Sequence, residues 1–273
     1  MANRPIVTLT TDFGLNDHFV GTVKGVILDI APEAEIVDIS HAVQAFDLLD
    51  GALTIAQAYS YFPAGTVHMV VVDPGVGTAR RPIIASTERH HFVAPDNGVL
   101  SLVYGREERL HVHHVTAEHY FLQPVSHTFH ARDIFAPVAA YLAKHVDAEK
   151  FGGEIDDFVR FSVPRPKTGS DGTLRGVIVK VDRFGNLITN ITPQDAPALF
   201  QGTRFKLLVG KREVTELRSA YAEGAGGEVF AILSSMGYLE IAANRASASQ
   251  LLGVGKGIEV SLALEGAIAA AKG

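Results

Sequence analysis

Apolar residues recur along the chain in two alternating rhythms. Residues 6–11 form an apolar run that predicts a buried strand, ending at Asp12-Phe13-Gly14. Val20, Val23, Val26, Ile27 and Ile30 then return at the three- and four-residue spacing of a helix, with Asp17 placed to cap its start and Pro32 to close it. Residues 36–39 read as the next strand, which makes a strand-helix-strand unit. The pattern repeats. Residues 48–61 are apolar at helical spacing, Pro63-Ala64-Gly65 turns the chain, and 67–72 read as a strand, apolar except for His68, stopped by Asp73-Pro74-Gly75. This alternation predicts an α/β fold with a mainly parallel sheet and helices on its faces. Strand-like pieces at 82–86, 91–94 and 110–115 and a helical pattern over 133–144, with Asp133 as a candidate N-cap, complete an N-terminal domain over 1–163.

The texture then changes. Val163-Pro164-Arg165-Pro166-Lys167-Thr168-Gly169-Ser170-Asp171-Gly172 has the composition of a linker, placed at 164–172. Beyond it come short β-rich pieces at 174–181, 187–191, 205–209, 229–233, 238–241 and 257–264, broken by glycines. They predict a smaller C-terminal antiparallel β-barrel domain over 173–273.

Composition narrows the function classes. The 273 residues carry a formal net charge of -6 and no run of Lys or Arg longer than two, which argues against nucleic acid as a partner. With no cysteine, a thiolate nucleophile, a disulfide framework and a Cys-based zinc site are excluded. The first residues pass directly into a strand-like run, and no stretch approaches the length of a membrane span, so no membrane partner and a cytoplasmic location are expected.

In open parallel sheets ligands bind beyond the carboxyl ends of the strands. Asp12 and Asp73 stand at two such ends, where each either caps a turn or lines a common crevice. The loop Asp73-Pro74-Gly75-Val76-Gly77-Thr78-Ala79-Arg80-Arg81-Pro82 is rich in glycine and lacks both phosphate-loop fingerprints; an arginine seven residues beyond the carboxylate can fold back to pair with it, or simply face solvent. His130 lies just before the third predicted helix, a place suited to proton transfer near neutral pH. His90, His91, His111, His113, His114 and His119 lack a carboxylate at ligand spacing and read as mostly solvated. Two polar-tipped turns, Asp182-Arg183-Phe184-Gly185-Asn186 and Ser234-Ser235-Met236-Gly237-Tyr238, are explained by tight-turn chemistry alone.

Six segments in order, Thr10-Thr11-Asp12-Phe13-Gly14, Asp73-Pro74-Gly75-Val76-Gly77, Ala94-Pro95-Asp96-Asn97-Gly98, Phe129-His130-Ala131-Arg132-Asp133, Asp182-Arg183-Phe184-Gly185-Asn186 and Ser235-Met236-Gly237-Tyr238-Leu239, resemble the S-adenosylmethionine hydroxide adenosyltransferases. These are relatives of enzymes that attach fluoride or chloride to the same substrate. The resemblance implies a homotrimer with sites shared between subunits, S-adenosylmethionine as substrate, adenosine and methionine as products, and no metal or cofactor. It places a catalytic set on Asp73, Arg80 (with Arg81 adjacent) and His130. It gives Asp12 the ribose hydroxyls, Phe46 a place beside the sugar, and Asp182, Asn186 and Ser235 contacts to the methionine and adenine portions. Met236 stands where halogenating relatives often carry arginine.

The residue types suit that chemistry, because a sulfonium leaves as a neutral thioether and needs only an oriented water or hydroxide at ribose C5′. Three other readings compete: halide-dependent transfer on the same scaffold, a non-catalytic adenosine-binding module, and metal-dependent phosphoester hydrolysis, which would need more carboxylates. Against halogenation, only a short turn separates 82–84 from 91–93, where fluorinating relatives carry an extra loop.

Overall fold

The computed structural model describes residues 4–265, and the chain divides into two compact units between Ser162 and Val163. The first unit is built on a seven-stranded sheet of β1 (Ile6–Thr11), β2 (Glu35–Ser40), β3 (Thr66–Val71), β4 (Pro82–Thr87), β5 (His90–Pro95), β6 (Leu110–His114) and β7 (Glu154–Ile155), in the order β2-β1-β3-β5-β4-β6-β7. The strands β2, β1, β3 and β5 run parallel; helical crossovers join β1 to β2 and β2 to β3, while β5 reaches β3 as the return arm of the β4–β5 hairpin. The strands β4, β6 and β7 are antiparallel, because Glu88-Arg89 is too short a connection from β4 to β5 for anything but a hairpin.

Period-two alternation along β3 sorts the core into two layers. Met69 and Val71 face a cluster with α1 (Phe19–Ile30), whose Val23 and Ile27 are buried, while Val70 and Val72 face α2 (Leu48–Ala58) through Ile55. A four-residue α3 (Ser101–Tyr104) follows β5, and α4 (Ala136–Ala143) packs beside α1. Two expected caps are not caps. His18, not Asp17, holds the N-cap position of α1, and it makes no side-chain bond there. Asp133 lies inside a π-helical turn, Ala131–Phe135, that precedes α4, and its buried carboxylate accepts from Arg132 Nε at 2.6 Å and from Ser126 N at 2.8 Å.

The second unit is a curled, barrel-like sheet of β8 (Lys167–Thr168), β9 (Leu174–Val181), β10 (Leu187–Thr189), β11 (Phe205–Val209), β12 (Arg212–Val214), β13 (Leu217–Arg218), β14 (Val229–Leu233), β15 (Leu239–Ala243) and β16 (Glu259–Leu264). Its main path runs β12-β11-β16-β9-β10-β15-β14-β13, antiparallel except for β13 with β14. The two ends of that path are consecutive in the chain. Three residues of extended chain span at most about 11 Å, so Val214 and Leu217 bring the opposite edges of the sheet close together. Leu174, Ile178, Leu187, Leu207, Val260 and Leu262 fill the interior. The stretch 164–172 carries the short strand β8, paired with β9.

The clustered histidines are less solvated than their composition suggested. His90 and His113 are buried, and His90 joins His68, Tyr59 and Phe92 in an aromatic cluster where His68 stacks on Phe92 at 4.9 Å. Aromatic walls supply the apolar area that accommodates these rings in neutral form. Burial, with His90 adding to it, pushes His68 down to about 3. The unfolded chain therefore takes up a proton near pH 6.5 that the folded chain refuses until about pH 3. The sign follows: this contribution to stability is complete above pH 6.5 and declines as pH falls below it. Urea denaturation between pH 7 and pH 4 should show stability falling with acid, with a shallower slope in His68→Phe; equal slopes would remove His68 as the cause.

Candidate active site

Strands β1 and β3 are parallel neighbours, with Thr11 paired to Val71, so their carboxyl ends deliver Asp12 and Asp73 to the same rim of the sheet. A cavity of about 240 Å³ opens there, lined among others by Asp12, Phe46, Asp73, Phe129 and His130. The four residues Asp12, Phe46, Asp73 and His130, far apart in sequence, thus share one cavity.

Arg80 joins the set from behind. The eight-residue loop from Asp73 to Arg80 folds back through turns at Val76 and Thr78, and Arg80 Nε donates to both Asp73 oxygens at 2.9 Å. Arg80 Nη2 donates to Asp73 Oδ2 as well, and to His130 Nδ1 at 2.8 Å. The guanidinium also lies over the Phe135 ring, 5.2 Å from its centre. The Arg80 and Asp73 side chains are only 8% and 6% exposed, so this is a buried ion pair whose disruption leaves a charge without compensation, at a cost of about 3–5 kcal/mol.

The two adjacent arginines have different partners. Arg81 points elsewhere: its Nε and Nη2 donate to Asp96 Oδ2 at 2.9 and 2.6 Å, and its Nη1 donates to Asp157 Oδ1 at 2.7 Å. Asn97 Nδ2 donates to the carbonyl of Val72 at 2.8 Å, tying the same turn to the end of β3.

His130 immediately precedes the π-helical turn, an irregularity frequent at functional sites. Its Nδ1 accepts from Arg80, since a guanidinium offers donors and no acceptor, so the ring proton resides on Nε2. Burial, and after it the Arg80 charge, holds His130 below the usual imidazole value, while Asp73 and Asp133 oppose that shift. Neutral imidazole is the resting form at pH 7.

Asp12 Oδ2 accepts from Phe46 N at 2.9 Å. Phe46 has a left-handed backbone, φ 65°, and its side chain is 73% exposed. A bulky residue held this way stores about 1–3 kcal/mol of strain, the kind that collects at ligand-binding positions. Phe13, Phe19 and Phe129 form an aromatic wall beside it, with ring centres 5.3–6.2 Å apart. That wall went unread in the sequence, where Phe13 and Phe129 served only as motif neighbours.

The second unit has a cavity of its own, about 690 Å³, lined by Asp182, Phe184, Asn186, Tyr221, Asn244 and Arg245 among others. Asp182 Oδ1 accepts from Phe184 N and Asn186 N, and Asn186 Nδ2 donates to Asp182 Oδ2 at 3.0 Å. Gly185 makes this turn possible with φ 84°, and a Cβ there would stand 2.0 Å from Ser247 Oγ. Tyr221, which no sequence signal singled out, donates to buried Glu240 at 2.9 Å. Burial raises Glu240, as does Asp182, against the lowering effect of the Tyr221 bond. Ser235 and Met236 sit on the β14–β15 turn, and neither lines this cavity.

Among the described residues no three His, Cys, Asp or Glu side chains converge as a metal-binding group. No described helix is long and apolar enough to cross a membrane.

Comparisons with known proteins agree in both units. Residues 7–152 match the family described as SAM hydroxide adenosyltransferase N-terminal domain, and 176–261 match its C-terminal domain. A protein from Thermus thermophilus named (R)-S-adenosyl-L-methionine hydrolase is 36% identical, over 95% of this chain and 99% of its own length. A fluorinase from Nocardia brasiliensis is 31% identical over 95% and 97%. The crystal structure of a conserved protein from Thermotoga maritima superposes with a TM-score of 0.87 at 37% identity, covering 94% of this chain and 99% of that one.

The loop that carries Asp73 and Arg80 also packs closely, at Gly77, against the segment that leads to His130. Gly77 has φ 78°, and a Cβ there would lie 2.2 Å from the carbonyl oxygen of His127, three residues before His130. Gly77→Ala is expected to separate Asp73 and Arg80 from His130 and to lower kcat at least tenfold, with the fold intact by circular dichroism; steady-state kinetics checks it, and an unchanged kcat refutes it.

Proposed function

The chain belongs to the SAM hydroxide adenosyltransferase family, and from that premise we propose how it hydrolyses S-adenosyl-L-methionine to adenosine and methionine. The observation that carries the reading is the part-buried triangle of Asp73, Arg80 and His130, in which Arg80 is bonded to both of the others and two members line one cavity with Asp12 and Phe46.

The leaving group needs little help, since the sulfonium departs as a neutral thioether. The protein must hold a water in line with the C5′–S bond, at about 3–3.5 Å from carbon. Asp12 grips the ribose hydroxyls and Phe46 packs against the sugar, which fixes C5′. Arg80 commits His130 to presenting Nε2–H, and it leaves Asp73 with unused lone pairs. A water between them accepts from His130 and donates to Asp73. Its oxygen forms the new bond to C5′ as its proton passes to Asp73, and the C5′–S pair stays on sulfur. The arginine charge lowers the cost of the developing hydroxide.

In the same reading Asp182, Asn186 and Ser235 hold the methionine and adenine portions, with Met236 beside them, and the enzyme is a cytoplasmic homotrimer with sites shared between subunits. Each unit carries a cavity of its own, as a site divided between subunits requires. Mixed Asp73→Ala and Asn186→Ala chains should regain activity that neither has alone; an active monomer in light scattering would rule out sharing. The hairpin closed by Glu88-Arg89 favours hydrolysis over halide transfer.

Incubation with resolved epimers of S-adenosylmethionine in halide-free, chelator-treated buffer should yield adenosine and methionine, with the (R) epimer preferred as the relative's name suggests. Activity that depends on added chloride or fluoride would move the protein to the halogenating branch. His130→Ala is expected to lower kcat by about a hundred- to a thousand-fold, the cost of losing one preorganised donor to the water, while adenosine affinity changes little. Because His130 works neutral, kcat should be level through neutral pH and fall on the acid side, below about pH 6.5. Activity that rises with acid would reverse its assigned protonation state.

A further inference from the structure

We propose that His41, which does not line the cavity, is the positioning residue that aims the Asp12 carboxylate at the ribose hydroxyls. The inference rests on Asp12 as the ribose ligand. A register shift prepares it: Leu9 pairs with Asp38 but Thr10 pairs with Ser40, so Ile39 is extra just before β2 leads into His41. An extra residue beside a functional site commonly re-aims a side chain.

The result is a buried imidazole between the two segments that frame Asp12. On one side His41 Nδ1 is 2.8 Å from Thr11 Oγ1, which accepts from Phe13 N at 3.3 Å. The His41 carbonyl accepts from Gly14 N at 2.8 Å, and the Thr11 carbonyl accepts from Val43 N at 3.4 Å. Residues on both sides of Asp12 are therefore held by one residue. Asp12 then closes the ring, accepting from Phe46 N five residues after His41. At its far edge His41 Nε2 lies 3.0 Å from Asp38 Oδ1, and Asp38 Oδ2 accepts from Lys24 at 2.6 Å, which anchors the far side of the ring. The Thr11 contact is the one that reaches the residue next to Asp12, so it does the aiming.

A buried histidine placed only for stability would act equally on binding and turnover through loss of folded protein. One that aims a ground-state ligand acts on KM. The test uses the full chain with S-adenosylmethionine. His41→Asn keeps a hydrogen-bonding atom near the place of Nδ1, and His41→Gln moves it toward the place of Nε2. We expect His41→Gln to raise KM about tenfold with kcat within threefold, and His41→Asn to recover KM to within threefold of the parent. Thr11→Val, which deletes the partner hydroxyl at nearly constant volume, should match His41→Gln if that variant fails to fold. In an Asp12→Ala background none of these changes should raise KM further. A fall in kcat at constant KM, equal effects of Asn and Gln, or a full additive effect without Asp12 would each overturn the proposal. A parent protein that leaves the substrate intact overturns the hydrolase reading instead, and the same variants are then compared by calorimetric affinity for adenosine.

Discussion

Everything at the site depends on one buried guanidinium. Arg80 is held by Asp73 on one side, by His130 on another and by the Phe135 ring across its face. A guanidinium can satisfy two acceptors at once because its donors are fixed in a plane, and it cannot be neutralised to relieve burial. It therefore fixes two things together: the orientation of the carboxylate beside it and the tautomer of the imidazole. An ammonium in the same place would supply the charge without the fork.

The sheet explains why such an arrangement forms here. Parallel pairing of β1 and β3 sets Asp12 and Asp73 side by side, and the tight loop after β3 has room to return Arg80 under the carboxylate. His130 arrives from a different part of the chain, on an irregular turn ahead of α4, and Gly77 permits the two loops to touch. The adjacent Arg81 is engaged by Asp96 and Asp157, so neighbouring cations of the same type have separate partners. Position in sequence could not distinguish them; direction from the backbone does.

Much of this was legible in the sequence, and the failures have physical causes. Hydrophobic period gave β9 and β11 with their observed bounds and found the strands that end at Asp12 and Asp73, because buried strands leave continuous apolar runs. It missed β12 and β13, three and two residues long, which are too short to show a period. It assigned caps to Asp17 and Asp133 because both are good capping residues, whereas the first lies outside the helix start and the second is buried with Arg132. It treated His90 and His113 as mostly solvated because no carboxylate at ligand spacing completed a site, and the aromatic cluster that buries His90 is assembled from residues distant in the chain. The six motifs contain Asp12, Asp73 and His130, which the structure brings together, but Arg80 and Phe46 lie outside them, and neither the arginine's two-sided bonding nor the strained backbone of Phe46 leaves a trace in residue order.

The central claim is that water, held by the Arg80-ordered pair, attacks ribose C5′ and expels methionine. Turnover in ¹⁸O-labelled water, with mass spectrometry of every product, tests it most directly. The account predicts one labelled oxygen in the 5′-hydroxyl of adenosine and none in methionine. Label in homoserine accompanied by methylthioadenosine, or adenosine released without label, would place the attack elsewhere and contradict the role given to the triangle.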